Sequence, residues 1–173
     1  MRYFLSAMLA ITILSCNKPV HKQYEITKVE LATSGCLGTC ASTAISLDTS
    51  LDFKYYGDRF AHIKGYYTGK ITNSLWDTLV LKLTSINYKE LHDYNGPVDD
   101  QGIELIIHYR NQVKRITAES TIIPDTLKQT IKWIQNIYKL VRLHPLKDSI
   151  KFETTIQYPP IPNINMVKFP PPK

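Results

Sequence analysis

The chain has 173 residues, room for one domain of ordinary size with tails but not for two large ones. Hydrophobic residues make up 43% and charged residues 21%, a globular balance that excludes wholesale disorder. Gly 7 and Pro 10 exclude a collagen-like chain, Cys 3 excludes a disulfide-dense scaffold, and Lys+Arg 21 against Asp+Glu 15 leaves a mild +6 that calls for no nucleic-acid partner.

The first residues read as an address. Arg2 gives a positive start, and Tyr3 to Leu14 is apolar apart from Ser6 and Thr12. About a dozen residues suits a signal-peptide core and falls short of the roughly 20 needed to span a bilayer. Ile13-Leu14-Ser15-Cys16 follows, and then Asn17-Lys18-Pro19 ends the run. Two aliphatic residues, a small residue and a cysteine in that order resemble the lipobox of bacterial lipoproteins. The resemblance implies that residues 1–15 are removed and that Cys16 carries the lipid, leaving 173 − 15 = 158 residues. A single acyl chain holds a protein only marginally, at about 0.8 kcal/mol per buried methylene, whereas a multiply acylated cysteine anchors it firmly. The expected location is therefore the cell envelope, on the outer membrane, with residues 16–23 as lipidated cysteine and tether.

Export decides how the other cysteines are read, because thiols outside the cytoplasm tend to oxidise. Cys36 and Cys40 stand in Ser34-Gly35-Cys36-Leu37-Gly38-Thr39-Cys40 and have one intramolecular pairing open to them. A five-residue loop closed by a disulfide gains about 2 kcal/mol in the chain-entropy account. A structural clip is the plain reading. A redox or metal pair is the sharper one, although C-x3-C differs from the thioredoxin-like spacing and no second pair completes a zinc site.

Alternation over Tyr24 to Ala32 predicts a first strand, with Tyr24, Ile26, Lys28 and Glu30 on one side and Thr27, Val29 and Leu31 on the other. Thr43, Ile45 and Leu47 mark a second strand, and Asp48-Thr49-Ser50 is turn chemistry. Leu51 to Tyr56 and Arg59 to Tyr67 predict a hairpin around Gly57-Asp58, with the segment Gly65 to Ile71 leading out of it. Thr72 or Ser74 caps a helix whose stripe is Leu75, Leu79, Leu83 and Ile86, with Trp76 and Val80 beside it. Ile103 to Tyr109 and Val113 to Ala118 form a second hairpin, turning at Asn111-Gln112. Pro124 and Asp125 open a second helix with Leu127, Ile131, Ile134, Tyr138 and Val141 on one stripe.

The order β-β-β-β-α-β-β-α predicts an α+β fold, a mainly antiparallel sheet of about six strands with two helices packed on one face. The domain is expected over residues 24–143. Residues 144–173 hold seven prolines, from Pro145 to Pro172, and read as a Pro-rich tail in which Ile150, Phe152, Ile156 and Tyr158 alternate as a possible edge strand.

The cysteine loop, the strands around Gly57, and Gly65-Tyr66-Tyr67-Thr68-Gly69-Lys70-Ile71 before a helix together resemble an uncharacterised bacterial family, domain of unknown function 6438. The resemblance covers roughly Ile26 to Leu140. Its pattern favours proline and then an aromatic after the second cysteine, where this chain has Ala41, Ser42 and Thr43. It implies a single domain in exported or lipid-anchored proteins and supplies no catalytic residue.

The chain has no G-x-S-x-G elbow, H-E-x-x-H, Walker loop or Rossmann fingerprint, and its histidines His21, His62, His92, His108 and His144 show no ligand spacing. The acidic stretch Asp93 to Asp100 reads first as a solvated loop, with Asp99 and Asp100 the candidates for a ligand. Tyr55, Tyr56, Tyr66 and Tyr67 read as cross-strand aromatic pairs, and their outward members as a platform for sugar or peptide. The leading expectation is a non-catalytic, lipid-anchored envelope module that meets an envelope protein or glycan, with no cofactor, no metal and no nucleic acid. The alternatives are an enzyme built around Asp99 and Asp100 and a thiol–disulfide protein using Cys36 and Cys40.

Overall fold

The computed structural model describes residues 24–96 and 100–156; the leader, Cys16, the tether, Asp99 and the end of the tail lie outside the described residues. Seven strands form one sheet: β1 (Ile26–Thr33), β2 (Thr43–Asp48), β3 (Asp52–Gly57), β4 (Gly65–Lys70), β5 (Gly102–Tyr109), β6 (Gln112–Glu119) and β7 (His144–Leu146). Their order is β6-β5-β1-β2-β3-β4-β7, and every neighbouring pair is antiparallel. Two helices, α1 (Asn73–Ser85) and α2 (Asp125–Gln135), complete an α+β fold.

Local chemistry explains the turns. Asp48 Oδ1 accepts from Ser50 N at 2.9 Å and Asp52 N at 3.3 Å, which closes the β2–β3 corner. Arg110, at φ 51°, turns β5 into β6 with Tyr109 opposite Gln112, so the corner lies at Arg110-Asn111, one residue before the Asn111-Gln112 expected. The β3–β4 connection departs further from expectation. It is a seven-residue loop, 58–64, in which Asp58 Oδ1 accepts from Phe60 N at 2.8 Å and Ala61 N at 3.0 Å. Gly57 is needed for a close approach rather than for a two-residue turn: a Cβ there would strike Ile63 O and Ala61 Cβ. The second strand of that pair is therefore Gly65–Lys70, the segment expected only to lead away from it.

Thr72 caps α1 by accepting from Leu75 N at 3.2 Å, and Trp76, Leu79 and Leu83 turn inward. In α2 the buried stripe is Leu127, Thr130, Ile131 and Ile134. The helix ends at Gln135 and tightens into a 3-10 turn, Ile137–Leu140. Three residues per turn bring Ile137 inward in step with Ile134, so Tyr138 leaves the centre of the stripe where α-helical spacing placed it.

The helices share one core with Val29, Leu31, Ile45, Leu47, Phe53, Leu105 and Ile107. Ile26 belongs to that core as well, against the expected alternation, because the β1–β5 register slips between Ile26 and Lys28 and resets which side faces inward. Leu79→Ala, at a site with 0% exposure, is expected to lower stability by about 2–5 kcal/mol in urea unfolding. Leu81→Ala, 69% exposed, is expected to change it by less than about 0.5 kcal/mol.

The opposite face of the sheet is also covered. Glu30, Ala32, Ala44, Ser46, Tyr56, Glu104 and Ile106 alternate with the core positions and are all buried. The C-terminal segment is what crosses them. His144–Leu146 pairs with β4 as the edge strand β7, whereas 150–156, the stretch expected to supply it, forms no strand. Glu153 N donates to Glu30 Oε2 at 2.7 Å, and the Glu153 carboxylate meets Lys28 Nζ at 2.6 Å and His108 Nε2 at 2.8 Å. Thr155 N and Thr155 Oγ1 donate to Glu104 at 2.7 and 3.0 Å, and Thr154 and Arg115 donate to the same carboxylate. Seven residues reach about 23 Å, and four strand spacings from β7 to β1 are about 19 Å, so residues 147–152 pass over β4, β3 and β2 as a strap. β7 and residues 153–155 are thus hydrogen-bonded to the sheet.

Burial acts to raise the Glu104 carboxyl, but hydrogen bonds from Thr154, Arg115 and Thr155 outweigh it and hold the group below its ordinary value of 4.5. Lys28 does the same for Glu153. A depressed carboxyl contributes stability that is complete above its unfolded value and is lost as pH falls through the folded one. The urea midpoint is expected to fall between about pH 6 and about pH 3, and to fall less in Glu104→Gln. Equal falls in the two proteins would show that Glu104 does not carry the effect.

Candidate functional site

Antiparallel pairing gathers the ends of β1, β3 and β6 and the starts of β2, β4 and β5 at one end of the sheet. The loop 34–42 between β1 and β2 stands there, closed by the Cys36–Cys40 disulfide with Cα atoms 5.4 Å apart. Gly38 N donates to Cys36 O at 2.7 Å inside the ring. Its base is clamped from β5: Ser34 N donates to Gly102 O, and Gly102 N to Ser34 Oγ, both at 2.8 Å. Gln101 Nε2 donates to Ser34 O at 3.1 Å and Ala41 O at 2.8 Å, tying the two limbs of the loop together.

Asp100 anchors this corner. Its Oδ1 accepts from Gln101 N and Ser120 Oγ and its Oδ2 from Thr121 N, each at 2.7 Å. These bonds, Ser120 first, hold its carboxyl down at about 2. Asp100 is thus engaged in joining the segments before β5 and after β6, while Asp99 lies outside the described residues.

The disulfide loop separates two hollows. One, of about 290 Å3, lies between Cys40, the 58–64 loop with His62, Gln101 and the end of α2 with Gln135, Asn136 and Tyr138. The other, of about 360 Å3, is bordered by Ser34, Cys36, Leu37, Asp100 and Glu119. Among the described residues the first is lined by no Asp, Glu, Lys or Arg, whereas the second has two carboxylates. Among the described residues no group of three or more His, Cys, Asp or Glu is placed to hold a metal ion.

The tyrosines divide between the two faces. Tyr55, 2% exposed, packs on the helix side against Tyr67 at 6.2 Å and Tyr138 at 5.3 Å, and its hydroxyl donates to Ile63 O at 3.2 Å. Burial pushes that hydroxyl up. Tyr56, 1% exposed, pairs with Tyr66 at 4.7 Å on the strap side, and burial pushes its hydroxyl up to about 12. Tyr66 and Tyr67 are partly exposed on opposite faces, so the four rings form two cross-strand pairs and no common platform. Of the four, Tyr55 alone borders the hollow beside Cys40.

The family model described as Domain of unknown function (DUF6438) matches residues 27–138, more than half of the chain. The chain belongs to this family. The match runs from β1 through the tyrosine that follows α2, so the DUF6438 region holds the disulfide loop, both helices and six strands, while β7 and the strap lie beyond it. No curated protein matches the chain at a significant level.

His62, Gln101 and Tyr138 are the site residues that sequence reasoning passed over. His62 has no motif spacing, and Gln101 sits in a loop valued for its neighbouring acids. Tyr138 carried a signal, as the one polar-tipped member of an otherwise aliphatic stripe. Replacing both disulfide cysteines by serine is expected to lower stability by about 2 kcal/mol, the chain-entropy value for a five-residue loop, read in urea with and without reductant. A loss above about 4 kcal/mol would mean that the ring also organises the loops around it.

Proposed function

We propose that this DUF6438 protein is a lipid-anchored module of the cell envelope, without a reaction of its own, that presents its disulfide-clipped end to a partner. The supporting observation is the direction of β1. The described chain enters at Tyr24 beside α1, where the Tyr24 hydroxyl donates to Asp77 at 2.7 Å, and reaches the disulfide loop only after Thr33. Eight residues at about 3.3 Å each separate the two ends of that strand by roughly 25 Å. A lipid on Cys16 would hold the entry end near the bilayer and direct the loops outward. Leu37 at 85% exposure, Phe60 at 41% and Ile122 at 41% are apolar side chains on three separate loops of that outer end. None of the described helices is long and apolar enough to cross a membrane.

Cys16→Ala is expected to move the protein from the membrane to the soluble fraction and from the detergent to the aqueous phase on phase separation. Mass spectrometry of the wild-type N-terminal peptide is expected to show acylated Cys16 with residues 1–15 absent. An intact, unmodified Met1 on soluble wild-type protein would defeat the proposal.

A further inference from the structure

We infer that the hollow beside Cys40 is a carbohydrate site that takes one unit of a neutral sugar, an inference that rests on the binding-module reading above. Three features of its walls carry it. The first is charge: among the described residues no Asp, Glu, Lys or Arg side chain lines the hollow, and Gln135 and Asn136 stand at the C-terminal end of α2, where the helix dipole is negative. Among the described lining residues, such walls offer an anion no Lys or Arg partner; Lys139 stands over the Tyr138 ring but is not part of the lining.

The second feature is hydrogen-bonding capacity that the fold leaves open. Gln101 gives its amide Nε2 to Ser34 O and Ala41 O, and Asn136 gives Nδ2 to Lys132 O at 2.7 Å. Both amides are thereby fixed in orientation, with Gln101 Oε1 and Asn136 Oδ1 available to accept. Among the described residues, neither of those oxygens, the His62 ring nitrogens, the Gln135 amide nor the Tyr138 hydroxyl has a hydrogen-bond partner. The residues that carry these acceptors and donors line one space, and sugar hydroxyls serve as both.

The third feature is an apolar plate. Tyr138 is half-buried and lies 5.3 Å from the buried Tyr55 ring and 6.4 Å from the His62 ring. Lys139 Nζ stands over one face of this ring, 5.8 Å from its centroid, and the other face is the one offered to the C–H side of a pyranose. The size is that of a small site: about 290 Å3 lies just under the roughly 300–1,000 Å3 of ligand pockets, which suits one sugar unit of a longer chain.

The test uses the full-length lipidated protein in detergent micelles, first on an array of neutral and acidic glycans and then by calorimetric titration with the best-bound neutral oligosaccharide. Neutral glycans are expected to bind in preference to sialylated or uronic ones. His62→Ala, at an exposed site, is expected to weaken binding about fivefold. Tyr138→Leu keeps an apolar packing group but removes the plate, and is expected to weaken binding about tenfold. Leu81→Ala, on the outer side of α1, is expected to leave it unchanged. Absence of any neutral-glycan binding, preference for acidic glycans, competition by neutral peptides alone, or affinities unchanged in both His62→Ala and Tyr138→Leu would each overturn the inference. An acylated, membrane-bound protein that binds no neutral glycan rejects the sugar site alone. A soluble, unprocessed protein rejects the module reading on which the site rests.

Discussion

Strand β1 is the member on which the sheet depends, because it pairs on one side with β2, its neighbour in sequence, and on the other with β5, some seventy residues later. The β1–β2 pairing is local and forms around a short loop. The β1–β5 pairing is not, and it sets β5 and β6 beside the first four strands as one surface. The seven matched positions from Ile26 to Thr33 opposite Tyr109 to Ile103 bring Val29 and Leu31 beside Ile107 and Leu105 in the core beneath the helices. The same pairing lays Glu30 and Glu104 on the other face, on adjacent strands and both nearly without solvent contact.

Two carboxylates on one buried face need compensation, since an ion removed from water without partners is strongly unfavourable. Compensation comes from three sources: Lys28 on the same strand, Arg115 on β6, and the backbone and hydroxyls of Glu153, Thr154 and Thr155 in the strap. The strap in turn has no hydrogen-bonded ladder of its own and is held where those carboxylates hold it. Apolar residues beneath its path, Ala32, Ala44, Tyr56 and Ile106, account for why the sheet is dry on both sides although the helices cover only one. The DUF6438 match ends at residue 138, so β7 and the strap lie outside the matched region.

Much of the fold was legible because period-2 and period-3.6 patterns are local. The Thr72 cap, the Leu79 and Leu83 stripe, the Ile-rich β5 and the pairing of Cys36 with Cys40 could all be read a few residues at a time. The errors fall where a distant group decides. Gly57 resembled a tight hairpin residue, but its lack of a side chain serves the close passage of Ile63. Ile26 changed sides because of a register slip against β5, and the edge strand is His144–Leu146, while 153–155 is held through the side chains of Glu30, Glu104, Lys28 and His108 instead of a ladder. The site was less legible than the fold. His62, Gln101 and Tyr138 come from three separate parts of the chain and have no shared spacing.

By itself the sequence determined the class of the domain, the helix that follows a cap at Thr72 or Ser74, and the clip between Cys36 and Cys40, because propensity, capping and short-range cysteine pairing act over a few residues. Only the tertiary structure decided that Glu30 and Glu104 are buried, that residues 147–156 strap the second face, that Tyr55 and Tyr56 are enclosed, and that His62, Gln101 and Tyr138 border one hollow. Those outcomes depend on which strands become neighbours, and that is settled by pairing between residues far apart in the chain.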